Sequence, residues 1–202
     1  MKAPRTLVFW YEFASTYSYL AAMRIERLAE AAGVAVEWRP FTLGPIFKAQ
    51  GWTTSPFNLY PAKGRNMWRD MERLCADAGL PLKHPEIFPQ NGLLAARAAL
   101  VGAEEGWIAP FTKGIYAANF AEGADISQPR TIARVLSSLG RDIDAEAVLA
   151  RAEAQDMKAR LCANTEAAME AGIYGAPSFT VGDELFWGND RLENALAWAT
   201  RA

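Results

Sequence analysis

Residues 7–32 constrain the fold most, because an apolar and aromatic run, a small hydroxyl-rich turn and a long helical pattern follow one another there without a gap. The run LVFWYEF at 7–13 reads as a buried strand, and Leu20, Met23, Ile25 and Leu28 recur roughly as one helical face does. Ser15 and Ser18 fall where that helix begins. A helix start presents unpaired backbone N–H groups and the positive end of the helix dipole, so an anion is favoured there. A serine acting only as an N-cap satisfies the same pattern, and on this stretch alone the cap is the simpler reading.

A second stretch, GIYGAPSFTVGDELFWGNDRL at 172–192, shifts that balance. The Ala176-Pro177 step leads into a β-rich run, and Gly182-Asp183 then turns it into a second short run, which reads as a strand entry and a hairpin. Strand, turn and helix early, with a proline and a hairpin late, is the layout of a thioredoxin fold. The chain resembles the thioredoxin-like family that contains DsbA, the kappa-class glutathione transferases and 2-hydroxychromene-2-carboxylate isomerase, and it is most similar to the isomerase group. The matching segments are FASTYSYL at 13–20, RPFTLG at 39–44, PAKGR at 61–65 with Asp70, GAPSF at 175–179 and GNDRL at 188–192. They span nearly the whole chain.

After the first helix, Gly33 supplies a stop and VAVEWR at 34–39 alternates as a strand does, completing a β-α-β unit whose strands should be parallel neighbours. From 44 to 61 the chain is rich in Gly, Pro, Thr and Ser and reads as an exposed loop or broken helix. Between 62 and about 172 only helical patterns appear, at 62–78, 91–105, 108–121, 129–139 and an interrupted 144–171. The expected architecture is therefore α/β: a discontinuous thioredoxin-like domain at 1–45 and 172–202, with an all-helical insertion domain at 46–171.

With 51% hydrophobic residues and a formal charge of −2, the 202-residue chain can build a substantial core but shows no basic stripe, so neither nucleic acid nor an anionic membrane is an expected partner. No apolar run reaches membrane-spanning length, and the start passes straight into the first strand; the expected location is cytoplasmic. The chain has two cysteines, Cys75 and Cys162, neither in a C-x-x-C pair, and both are expected to pack quietly on helices. The single histidine, His84, lies in a proline-flanked loop, which argues against a Ser-His-Asp hydrolase. No metal site is expected.

In redox members of the family, cysteines occupy the positions held here by Ser15 and Ser18, and hydroxyls cannot form a disulfide. A serine hydroxyl at a helix start can instead donate to a bound thiolate. Lowering a thiol from about 8.5 to about 6.5 takes only ~2.7 kcal/mol of differential interaction. The resemblance supplies the thiol: glutathione, with Ser15 as the catalytic contact to its sulfur. It implies that Ala176 pairs its backbone with the peptide before a cis Pro177, that Lys63 holds a carboxylate, and that Asp190, accompanied by Asn189, holds the γ-glutamyl ammonium. Taken alone, Lys63 and Asp190 also read as a solvated face and a cap. Thr54 stands where kappa-class relatives carry an asparagine, and Asn66 where the family often shows an aromatic residue. Tyr17, Trp52, Phe57, Tyr60 and Trp68 are the aromatic candidates for the walls of a co-substrate pocket.

The activity so implied is glutathione-dependent cis/trans isomerisation of a 2-hydroxychromene-2-carboxylate-type intermediate of aromatic catabolism, by reversible thiolate addition, in a homodimer. A kappa-like glutathione transferase and a non-catalytic thioredoxin-like binding module are the alternatives.

Overall fold

The chain's organising strand, β1 (Thr6–Tyr11), lies inside a four-stranded sheet of order β2-β1-β3-β4. The computed structural model describes residues 5–201; the reading of the chain's start, and the outermost ends of the expected thioredoxin-like unit, fall on residues outside these. Strand β2 (Ala35–Pro40) runs parallel to β1, with Thr6 opposite Ala35 and Tyr11 opposite Pro40. Strand β3 (Ser178–Val181) pairs antiparallel with β1, Phe9 facing Phe179, and β4 (Glu184–Trp187) closes the hairpin expected from Gly182-Asp183.

Leu7, Phe9 and Tyr11 share one face of β1, while Val8 and Trp10 share the other. Apolar clusters cover both faces, which is why the sequence shows a continuous apolar run rather than an alternation. Helix α1 (Thr16–Ala32) is the crossover between the parallel strands. It buries Leu20, Ala21, Ala22, Ile25 and Ala29, while Met23 and Leu28 pack half-buried at the margin; it ends at Gly33, whose φ of 64° suits a residue without Cβ.

The residues between β2 and β3 fold as helices: α2 (Leu43–Ala49), α3 (Pro56–Leu59), α4 (Pro61–Ala78), α5 (Leu93–Glu105), α6 (Ile108–Ala117), α7 (Pro129–Ser137), α8 (Ala145–Glu153) and α9 (Gln155–Glu170). The 44–61 stretch thus takes the broken-helix form, because Pro45 and Pro56 both sit in first turns, where a missing N–H costs nothing. The interruption in 144–171 falls at Ala154, whose extended backbone ends α8 and starts α9. Helix α6 does not run regularly to residue 121: it widens into a π-helical turn, Ala118–Glu122.

One aromatic cluster welds helices to sheet. Phe9 stacks on Phe179 at 5.5 Å and meets Trp38 edge-on at 5.1 Å, while Phe13 lies 5.3 Å from Tyr116 of α6. Burying each such ring is worth about 1.5–3 kcal/mol, so the helical segment is part of what holds β1 in place. The chain finishes with a 3-10 turn, Asn189–Arg191, and helix α10 (Leu192–Arg201). Among the described residues no helix is long and apolar enough to cross a membrane.

Candidate active site

The turn from β1 into α1 is held from the helical side. Tyr116 Oη donates to the Glu12 carbonyl at 2.9 Å, Asn119 Nδ2 of the π turn donates to the Phe13 carbonyl at 3.0 Å, and the Tyr11 hydroxyl meets Thr112 Oγ1 at 2.9 Å. The first two satisfy turn carbonyls outside the sheet ladder, and together the three tie the turn that carries Ser15 to α6 and the π turn.

Ser15 is the N-cap of α1: its Oγ accepts the Ser18 N–H at 3.3 Å. The same hydroxyl donates to the Ala176 carbonyl at 2.8 Å, across to the loop before β3. The cap reading and the site reading are therefore not exclusive. The Ala176–Pro177 peptide is cis, as the resemblance implied. Ser178 Oγ donates to the Gly175 carbonyl at 2.9 Å, and the Gly188 N–H donates to the Pro177 carbonyl at 2.9 Å, which ties this loop to the 3-10 turn carrying Asn189 and Asp190. Ser18 is fully buried and faces away from the cleft, so only one of the two helix-start hydroxyls is available to a ligand.

Ser15, Thr54, Lys63, Ala176, Pro177, Asn189 and Asp190 all line one mostly apolar cleft of about 1350 Å³. That is more than one small ligand needs, since such pockets usually measure about 300–1,000 Å³. Lys63 is exposed in the first turn of α4, its Nζ 4.9 Å from the Tyr60 ring, and no acidic residue accompanies it there. A cation beside the positive end of a helix is unfavourable until an anion joins it. Asp190 is exposed as well, 3.5 Å from Arg191. Thr54 accepts a long hydrogen bond from Asn58 Nδ2 at 3.4 Å, and the same amide donates to the Phe88 carbonyl at 3.1 Å. Arg24 of α1 grips the 3-10 turn, donating to Asn189 Oδ1 at 3.1 Å, to the Asn189 carbonyl at 2.5 Å, and pairing with Glu193.

Of the aromatic candidates, Tyr17, Trp52 and Phe57 line the cleft. Tyr60 stands outside it, and Trp68 is occupied by stacking on His84 at 4.2 Å and against Phe88. Tyr17 donates to Asp70 Oδ2 at 2.9 Å; burial, and then this carboxylate, raise its phenol well above the usual range. Cys75 is buried and its thiol is pushed up to about 11 by desolvation, as quiet packing requires, whereas Cys162 is exposed, which corrects the expectation that it packs.

Glu12 went unnoticed in the sequence. The residue lines the cleft, and burial pushes its carboxyl up to about 7 against the weaker opposing effect of the Ala14 N–H bound to it. The available signal was one carboxylate inside an otherwise apolar run, a position that costs free energy unless it is used or neutralised. Tyr174 and Trp187, 4.9 Å apart and about half exposed, form an unanticipated aromatic rim beside Ala176.

A thioredoxin sheet carrying a helix-start hydroxyl opposite a cis-proline defines the class, and the chain belongs to the DSBA-like thioredoxin domain family, which matches residues 6–197. Within it, the chain is 31% identical over 191 residues to the 2-hydroxychromene-2-carboxylate isomerase of Sphingobium xenophagum, covering 94% of this chain and 95% of that one. It is 25% identical to human glutathione S-transferase kappa 1, covering 94% of this chain and 88% of the relative. A solved 2-hydroxychromene-2-carboxylate isomerase superimposes with a TM-score of 0.84 at 24% identity, over 97% of this chain and 95% of the other, and so shares the fold.

Proposed function

We propose that this chain is a glutathione-dependent isomerase acting on a 2-hydroxychromene-2-carboxylate-type intermediate of aromatic catabolism. The observation that carries the reading is Ser15: its hydroxyl stands at the N-terminus of α1, 2.8 Å from the Ala176 carbonyl, in the cleft that Lys63 and Asp190 also line. The residues present fit glutathione. Lys63 and the start of α4 would hold a carboxylate, Asp190 with Asn189 the γ-glutamyl ammonium, Thr54 a polar contact along the peptide, and Ala176 beside Pro177 its backbone. Bound there, glutathione would supply a thiolate nucleophile that adds reversibly to an electron-poor double bond. Ser15, which donates to the Ala176 carbonyl, would be free to turn its proton toward that sulfur, and the end of the α1 dipole would add to the stabilisation of negative charge. Tyr17, Trp52 and Phe57 provide an apolar wall against which an aromatic substrate packs and water is excluded.

A kappa-like transferase that releases a glutathione conjugate is the second reading, supported by the human relative; accumulation of conjugate rather than of isomer distinguishes it. The reading includes a homodimer, supported by exposed Tyr60, Ile87 and Leu93, and tested by the mass in light scattering. A cytoplasmic setting suits a thiol cofactor kept reduced and a chain whose cysteines are both free. The reading also takes 46–171 as a helical insertion in a thioredoxin-like unit, supported by the strands β1 to β4 all lying outside it.

The test is Ser15→Ala, with thiolate absorbance titrated in the binary complex and isomerisation followed with and without glutathione. The bound thiol's pKa should rise and the rate near neutral pH fall by roughly one to three orders of magnitude. Full activity without glutathione, or an unchanged rate and thiol titration in the variant, would leave Ser15 as a cap alone.

A further inference from the structure

Three carboxylates line the cleft among the described residues; Asp70 accepts from Tyr17 and pairs with Arg73, and Asp190 is exposed beside Arg191. Glu12 differs. It shares one turn with Ser15, whose N–H donates to the Glu12 carbonyl at 2.9 Å, and its own Oε2 accepts the Ala14 N–H at 3.0 Å. Its Oε1 faces Gly92 at the start of α5, 3.6 Å from where a Cβ on that glycine would stand. Among the described residues no lysine or arginine forms an ion pair or hydrogen bond with its carboxyl. Tyr116 from α6 reaches its carbonyl and Tyr11 precedes it at the end of β1; the other titratable groups that line the same cleft are Tyr17 of α1, Lys63 and Asp70 of α4, Tyr174 before β3, and Asp190 and Arg191 of the 3-10 turn.

We propose that Glu12 is a catalytic acid–base that carries the proton when the substrate's ring opens; this rests on the isomerase reading above. A 2-hydroxychromene-2-carboxylate is a cyclic hemiketal, in which one carbon bears the hydroxyl, the carboxylate and the ring oxygen bound to the arene. The Glu12 carboxylate takes the hydroxyl proton. The O–H electron pair becomes the second bond of a ketone, and the bond from that carbon to the ring oxygen breaks with its pair on the aryl oxygen. Glu12, now a carboxylic acid, returns the proton to that oxygen. No proton, electron or water is gained or lost, and the side chain now presents a double bond conjugated to a ketone, the electrophile that a thiolate at Ser15 requires. A group that both accepts and donates within one turnover works best when its own affinity for the proton is close to neutral, as burial makes Glu12.

The test is Glu12→Gln in the full chain with glutathione present, because glutamine keeps the size and the acceptor for the Ala14 N–H but cannot exchange a proton. We expect kcat with the cyclic substrate to fall by about a hundredfold, with the KM for glutathione and the bound thiol's titration unchanged, and Glu12→Asp to recover part of the rate. Independently of turnover, difference infrared titration of the free protein should show a carboxyl changing protonation near neutral pH that Glu12→Gln lacks. Wild-type turnover in Glu12→Gln, or no such carboxyl in the wild type, would overturn this step alone. No isomerisation by the wild type would overturn the functional reading and this step with it.

Discussion

Replacing Glu12 by glutamine should make the protein more stable, and increasingly so as the pH rises from 5 to 8. The native carboxyl titrates at about 7 and the unfolded one near its ordinary 4.5, because burial withdraws water from the charged form. Below the unfolded value both states hold the proton, and ionisation takes no part in folding. Between the two values the unfolded chain has released its proton while the native one keeps it, so raising the pH favours unfolding. Above about 7 the native state must carry a desolvated charge, and its penalty levels off. A shift of this size corresponds to about 3 kcal/mol at most, and the contact Glu12 keeps with the cleft lowers the expectation to about 2 kcal/mol. Glutamine carries no such penalty and still accepts the Ala14 N–H. The assay is urea unfolding of both proteins at intervals from pH 4 to 9, compared at equal slope. The curves should meet near pH 4 and separate by about 2 kcal/mol at pH 8. A difference that does not vary with pH, or one that favours the wild type at pH 8, would refute the claim that an uncompensated buried carboxyl sits in this turn.

The other expectations concern the cleft's rim. Lys63→Ala should weaken glutathione binding by about tenfold, the worth of one charge-assisted contact of ~1.4 kcal/mol, with little change in kcat; calorimetry and initial rates together check it. Arg24→Ala frees the Asn189 backbone and side chain without touching the cleft itself, so it should raise the glutathione KM several-fold, and Arg24→Lys should restore it only partly because a lysine cannot reproduce the forked geometry.

Much of this molecule was legible in its residue pattern. The β1-turn-α1 order, the late hairpin and the helical middle follow from local periodicity and from proline and glycine at element ends, which depend on neighbours in sequence alone. The residues that the resemblance names, Ser15, Thr54, Lys63, Ala176, Pro177, Asn189 and Asp190, line one cleft.

What sequence could not reach depends on contacts between distant segments. The two serines of the helix start are alike on paper, yet packing buries Ser18 and leaves Ser15 facing Ala176, 161 positions away. Tyr60 and Trp68 have the composition of cleft walls but are committed elsewhere, to Lys63 and to His84. The π turn that delivers Asn119 to the Phe13 carbonyl is a local widening of a helix whose pattern looks regular, and it satisfies a carbonyl about a hundred residues earlier. Glu12 is the clearest case: its identity was always visible, but its character as a near-neutral acid comes from burial between a strand end and the start of α5. Local periodicity sets which elements form; solvent exclusion, which only the packed chain creates, sets what one carboxyl among them can do.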